Sequence, residues 1–387
     1  MSNTEDRKER VEIIRRIQEI RGSQVIVYCT GDRSPFVSMI SDDAVRPFYD
    51  HLLALPPRDE DRRTIDLFLY SRGGDVSVPW RVVSMIREFC DKFAVLIPYR
   101  AHSAATMISI GADEIVMGKK AELGPIDPTL QRAPDGGGAP AQISVEDVTS
   151  YVSFMRERAG ITDQAALSAV VSQLAAHLTP LTLGSANRTY SHIRLVARKL
   201  MAARAEKADE AKLGNIIEAL TEKMYSHGHA IGRREATELG LPVVSPDPSL
   251  EDRIWELYCK YETMLSLTTP LDMESHLRQQ NRDQATLPDL PQVVIESAER
   301  CSVWRSNFDV NRKRNIPPNP QININLTLGV PPGLQQQPTP PQLHQTVQQL
   351  LQQITQILPE MVMQELVRQS PVVGFEVKQY GGRWTDN

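Results

Sequence analysis

The chain has 387 residues, 41% of them hydrophobic and 24% charged, with a formal net charge of −5. That composition suits a globular protein with a sizeable core, and its slightly acidic balance lacks the electrostatic footprint of a nucleic-acid-binding protein. Four well-separated cysteines, Cys29, Cys90, Cys259 and Cys301, form no C-x-x-C pair, which argues against zinc ligation or a disulfide framework and for a reducing, cytoplasmic compartment.

Residues 9–20 carry Val11, Ile13, Ile14, Ile17 and Ile20 at helical spacing, an amphipathic helix expected against the core or a partner subunit. The preceding MSNTEDRKER is too polar for a signal peptide. Residues 24–29 (QVIVYC) read as a buried strand. Asp42 and Asp43 are expected to cap a helix that Pro56 and Pro57 stop near residue 55. A strand over 65–70, the bend Ser71-Arg72-Gly73-Gly74-Asp75, a helix over 78–93, a strand over 94–98, a helix over 103–112 and a strand over 114–117 follow with short connections. The alternation predicts an α/β core with parallel pairing, whose chemistry lies in the loops after the strands. No apolar run reaches the length of a membrane span, since the stretch over 95–117 is interrupted by Arg100, His102, Asp113 and Glu114.

Beyond a proline turn at 124–128, residues 132–142 (RAPDGGGAPAQ) read as a loop without regular structure. Helices are expected over 144–159, 162–177, 185–205, 209–225, 235–241 and 250–267. Residues 316–342, rich in Pro, Gln and Asn, read as a linker in which Ile322, Ile324, Leu326 and Leu328 alternate as in a strand. A Gln-rich amphipathic helix over 343–367 and a short strand over 374–379 close the chain. The expected organisation is an N-terminal helix (1–23), a core (24–267) with a helical insert (144–225), a helical or irregular extension (268–310), a linker (311–342) and a terminal helix and strand (343–387).

Two segments carry candidate chemistry. The Gly73-Gly74 bend allows a sharp turn and presents bare N–H groups, as stabilisation of a tetrahedral oxyanion requires; a plain tight turn is the competing reading. Ser103, among small residues just after a strand and at a helix start, presents an exposed hydroxyl; a simple N-cap is the alternative. GxGxxG and GxxxxGK[ST] are both absent, so no nucleotide or other cofactor is expected, nor any metal.

Taken together, the ordered phrases strand, SRGG, helix, strand, AHSAAT, helix, DEIVM and proline turn resemble the Clp-type and signal-peptide-peptidase-type serine proteases, which share a crotonase-like spiral fold. Downstream, Ile231-Gly-Arg-Arg-Glu235-Ala-Thr-Glu-Leu-Gly240-Leu resembles the EA…GL helix of that superfamily. Leu123-Gly-Pro-Ile-Asp-Pro128 and Ser226-His227 are similar to the serine dehydrogenase proteinase family. The resemblance, which spans about 24–244, implies an α/β spiral core of ββα units, with Ser103 as nucleophile and an oxyanion hole formed by the N–H of Gly73 or Gly74 with that of Ala104. It further implies a polypeptide substrate that adds as a β-strand beside Gly74.

The proline turn departs from the Clp pattern, which has a histidine there. His227 is the preferred base, with Asp127 orienting it; triads are defined by geometry, not by chain order. His229 is its close rival and His192 a more distant one, while Lys199, Lys119 and Lys120 are the lysines that signal-peptide-peptidase-type chemistry would draw on. His102, though adjacent to Ser103, reads as structural. The expected function is an ATP-independent serine endopeptidase for unfolded or flexible polypeptides. The alternatives are a degenerate Clp-like scaffold, or a crotonase-type acyl-CoA enzyme that has no need of Ser103. A homo-oligomer is expected, with a tail that docks on a neighbour or on an adaptor protein.

Overall fold

Consecutive apolar positions in a strand are satisfied only if both faces of its sheet are covered. The strand β1 (Gln24–Thr30) meets that condition: Ile26 and Tyr28 enter one core layer, and Val25, Val27 and Cys29 enter the other. The structure is a computed structural model and describes residues 3–57, 63–126, 129–132, 141–178, 180–206, 209–222, 228–269, 271–279, 283–316 and 341–386. It divides into two compact units. The first comprises residues 1–270 with the returning segments Asp289–Ser306 and Gly381–Asn387; the second comprises Leu271–Pro288 and Asn307–Tyr380.

The first unit opens with α1 (Asn3–Arg21), then β1, a 3₁₀ turn at Asp42–Ala44 and α2 (Val45–Ala54). Asp42 and Asp43 do not cap α2: they lie inside the 3₁₀ turn, where Asp42 pairs with Arg81 and Asp43 accepts the indole N–H of Trp384 at 3.0 Å. Next come β2 (Thr64–Tyr70), α3 (Val78–Arg87), β3 (Lys92–Ile97), β4 (Arg100–Ala101), α4 (Ala104–Ile110), β5 (Glu114–Met117) and β6 (Glu122–Leu123). The helix α3 ends six residues earlier than its apolar pattern suggests. The chain there is drawn into the sheet by Asp91 N–H to Arg63 O (2.9 Å) and by Phe93 N–H to the Asp113 carboxylate (2.9 Å).

The strands β7 (Thr129–Arg132) and β8 (Ala141–Ser144) pair antiparallel, so the ends of the expected irregular loop carry a ladder. Backbone hydrogen bonding there does not depend on favourable side chains. Helices α5 (Val145–Ser153, continued by a π turn to Arg158), α6 (Gln164–His177), α7 (Pro180–Ala202) and α8 (Glu210–Glu222) follow. The unit continues through β9 (Ile231–Gly232), α9 (Arg233–Glu238), β10 (Val243–Val244) and α10 (Pro248–Met264).

The segment over 268–310 is not a helical extension. After α11 (Met273–Gln279), the strands β11 (Gln284–Glu296) and β12 (Cys301–Arg314) are long, and β11 pairs antiparallel with β1 from Val27↔Glu296 to Thr30↔Val293. Pro288 and Pro291 obscure this strand in the sequence, because proline removes a ladder donor; the paired stretch lies beyond them. Its addition covers what would otherwise be an open edge of β1. The sheet order is β10-β5-β3-β2-β1-β11-β12-β13, where β13 is Val372–Asp386 and reaches this unit through its last residues. The pairs from β10 to β1 are parallel. One face packs on α2, α3, α4, α7 and α8, the other on α1 and α10.

At the α1 end, Glu296 is fully buried and is bound by Arg10 Nε at 2.7 Å and by the Tyr261 hydroxyl at 2.7 Å, so α1 is an integral part of this core. A small second sheet, β4-β6-β9, stands beside the main one. Among the described residues, no single helix is long and apolar enough to cross a membrane.

The second unit contains α11, the outer parts of β11, β12 and β13, and α12 (Pro341–Gln369). Leu277, Ala285 and Val310 form its small core with Phe375 and Val377. Arg312 joins Glu274 and Asp283, and Arg314 joins Asp283 and the carbonyls of Arg368 and Ser370. The expected terminal strand is longer than its sequence signal, running from Val372 rather than from 374. The alternating residues Ile322 to Leu328 lie outside the described residues.

Candidate active site

The site begins at the end of β2. Ser71 is fully buried and bridges to Ala101: its N–H donates to Arg100 O and its O accepts from His102 N–H, both at 3.0 Å. Its hydroxyl accepts the Gly73 N–H at 3.0 Å and also the Thr30 hydroxyl at 2.8 Å. The Gly73 amide is therefore already engaged, and of the two glycines it is Gly74 that retains a candidate oxyanion donor.

Gly73 has φ +112° and Gly74 φ +154°. On one edge, Ile40 N–H donates to Gly73 O (2.8 Å) and Asp75 N–H donates to Ile40 O (2.9 Å). Alternation along an extended chain turns the Gly74 N–H to the opposite edge, where it has no acceptor among the described residues. A β-carbon on Gly74 would lie 2.2 Å from Ile40 O, and one on Gly73 would lie 2.7 Å from Ser103 Cβ and 2.9 Å from His102 O. The bend needs glycine at both positions for space as well as for conformation.

Ser103 stands at the N-cap position of α4 but makes no capping bond with its side chain. Its backbone, at φ +50° and ψ −113°, is in a region that L-residues avoid. Its hydroxyl has no hydrogen-bond partner among the described residues. Ala104, first in the helix, has an N–H with no intrahelical acceptor. The α4 helix is anchored by Thr106, whose hydroxyl meets Ala101 O and Gly124 O, each at 2.8 Å. The strained serine is thus set against the bend, next to two amides, by a helix whose side chains are all buried.

His102 turns away from this constellation. A β-carbon on Gly124 would fall 2.9 Å from its Cγ, and its Nε2 lies 3.3 Å from Glu122 Oε1 without hydrogen-bond alignment. Burial lowers its pKa, and Arg72 and Arg100 add to that effect against the opposing pull of Glu122. Arg100 pairs with Glu122 at 3.1 Å, and Arg72 with Asp32 at 2.9 Å. The ring belongs to this band of charges.

The expected base and its orienting acid, His227 and Asp127, lie outside the described residues. His229 sits two residues ahead of β9, and its Nε2 is 2.8 Å from Glu235 Oε1. Lys199 is exposed, with its ammonium 5.6 Å from the Trp80 ring centroid. Lys119 pairs with Glu251 and Lys120 lies over Tyr99; His192 is exposed on α7. No imidazole or ammonium among the described residues hydrogen-bonds Ser103. Ser71 and Glu235 lie inside the SRGG and EA…GL phrases, which by themselves assign them no role. The serine-x-glycine spacing, which lets a hydroxyl bond an N–H two residues on, was the available signal for Ser71.

A parallel sheet with a Gly-Gly bend after one strand and a strained serine after the next defines a Clp-like α/β fold. Residues 1–148 match the family model of the ClpP-like SDH-type serine proteinases, the family that the motifs resemble. Two uncharacterized proteins of Methanocaldococcus jannaschii, MJ0137 and MJ1495, are similar to this chain. The first is 26% identical over 64% of this chain and 78% of its own length, the second 24% identical over 65% and 76%. Two solved structures are also similar. A serine-to-alanine mutant of the 1510-N membrane-bound stomatin-specific protease has TM-score 0.32 and 15% identity, covering 57% of this chain and 79% of its own. ClpP1 from Listeria monocytogenes has TM-score 0.31 and 13% identity, covering 60% and 98%.

Proposed function

We propose that the chain is a serine endopeptidase acting on extended polypeptide. The observation that carries this reading is the wedging of Ser103, with φ +50° and a hydroxyl that has no hydrogen-bond partner among the described residues, against the Gly73–Gly74 bend. In the reaction the hydroxyl attacks the scissile carbonyl, and the oxygen that becomes negative is held by the Gly74 and Ala104 N–H groups. The base takes the hydroxyl proton and returns it to the amine that leaves as the peptide C–N bond breaks, and water then hydrolyses the Ser103 ester to release the acid and restore the hydroxyl. The free edge of Gly74 supports binding of the substrate as an added strand.

Of the described residues, His229 is best suited as the base, with Glu235 in the orienting role. The ladders pair Ala101 with Leu123 and Leu123 with Ile231. Continued by two residues, this register would set position 229 two strands away from position 103, a backbone separation of about 10 Å. That no base among the described residues hydrogen-bonds Ser103 keeps a second reading in view, a degenerate scaffold of the same fold.

Fluorophosphonate labelling separates the two. Labelling that vanishes in Ser103→Ala supports the peptidase, and absence of labelling in folded wild-type protein supports the scaffold. Comparing His229→Ala with His227→Ala identifies the base, which should be the substitution that slows labelling about a hundredfold or more.

A further inference from the structure

One edge of the Gly73–Gly74 bend is held by Ile40, whose N–H donates to Gly73 O at 2.8 Å and whose O accepts the Asp75 N–H at 2.9 Å. Residues 31–39, which lead into Ile40, form neither strand nor helix. The place of Ile40 is therefore set mainly by the turn that follows it, Asp42–Ala44. Among the described residues, two side-chain ties hold that turn. Asp42 pairs with Arg81 of α3, and Asp43 accepts the indole N–H of Trp384 at 3.0 Å.

The two ties differ in stiffness. Arg81 and Asp42 are exposed by 54% and 60%, and an ion pair between two solvated side chains fixes little. Trp384 is half-buried against the main core, in a T-shaped contact with Trp304 at 5.7 Å between ring centroids. Gly382 leaves room for the Trp304 ring, since a β-carbon there would run into it. Beyond Trp384, the Thr385 hydroxyl donates to Val303 O at 3.0 Å, and Asp386 accepts from the Ser302 hydroxyl and the Arg300 guanidinium, each at 2.7 Å. The indole N–H is thus delivered to Asp43 by a ring that its neighbours already hold in place.

We infer that Trp384 is a positioning residue for the Gly73–Gly74 bend: by holding Asp43 it fixes the turn that carries Ile40, and so the direction in which the Gly74 N–H is presented. The consequence for catalysis rests on the peptidase reading; the tie itself does not.

Amide hydrogen exchange on the full chain reads the tie at the Ile40 and Asp75 N–H groups. Trp384→Phe keeps an aromatic ring and removes the donor, Asp43→Ala removes the acceptor, and Asp43→Asn keeps an acceptor oxygen. Exchange at both amides should quicken about threefold to tenfold in Trp384→Phe and in Asp43→Ala, the worth of one hydrogen bond. It should quicken no further in the double variant, and stay near the wild-type rate in Asp43→Asn. Exchange across β2 should not change. Unaltered rates at Ile40 and Asp75, equal quickening across β2, or additive effects in the double variant overturn the inference. Asp43→Ala carries the test alone if Trp384→Phe does not fold. Fluorophosphonate labelling of Ser103 should slow by the same factor, and labelling at the wild-type rate in variants whose exchange has quickened overturns the positioning role. Folded wild-type protein that takes no label defeats the peptidase reading instead, and the exchange rates then decide the tie by themselves.

Discussion

The Cβ of Ser103 occupies the space that a side chain on Gly73 would need, since a β-carbon built on Gly73 lies 2.7 Å from it. The serine and the bend are therefore two halves of one close contact, and a side chain added at Gly73 must displace Ser103. Gly73→Ala should cost about 2–5 kcal/mol, from positive φ together with overpacking. It should also abolish fluorophosphonate labelling even in the fraction that stays folded. Urea unfolding and labelling of the same preparation check both.

Ser103 itself is held at positive φ, a conformation that glycine adopts without cost. Ser103→Gly should raise the thermal midpoint, by relief of roughly 1 kcal/mol of backbone strain, while removing all labelling. A midpoint below that of Ser103→Ala would mean that the strain does not exist.

Burial of Glu296 makes the attachment of α1 sensitive to charge. Arg10 Nε lies 2.7 Å from it, and both side chains are almost completely excluded from water. Arg10→Met leaves a buried carboxylate without its principal counter-charge, and should cost about 3–5 kcal/mol in denaturant unfolding. The double variant Arg10→Met/Glu296→Leu should recover much of that loss.

The fully buried His51 lies between the hydroxyls of Ser297 and Ser302, each 3.2 Å from a ring nitrogen, and Ser302 donates in turn to Asp386 at 2.7 Å. Burial, and secondarily the Arg300 charge, hold its pKa down to about 4, from an ordinary 6.5. Between those values the unfolded chain binds a proton that the native state refuses, so stability falls as pH drops from about 6.5 to about 4. The full effect is on the order of 3 kcal/mol. His51→Gln should flatten the pH dependence of the thermal midpoint within that window. A wild-type slope identical to that of the variant would contradict this origin.

Much of the core was legible in the sequence because its signals are local. Apolar runs at 24–29, 65–70 and 114–117 mark doubly buried strands whatever surrounds them. Gly-Gly after one strand and a serine among small residues after the next mark a bend and a helix start. What the residues alone determined was thus a parallel α/β core with Gly73, Gly74 and Ser103 at its strand ends. Tertiary structure decided the rest, because contacts between distant segments carry no local pattern. Residues 293–296 close the sheet beside β1 despite the prolines that precede them. Ser71 takes the Gly73 amide and leaves that of Gly74, and the ladders that join β4, β6 and β9 bring Ala101, Leu123 and Ile231 side by side from distant parts of the chain.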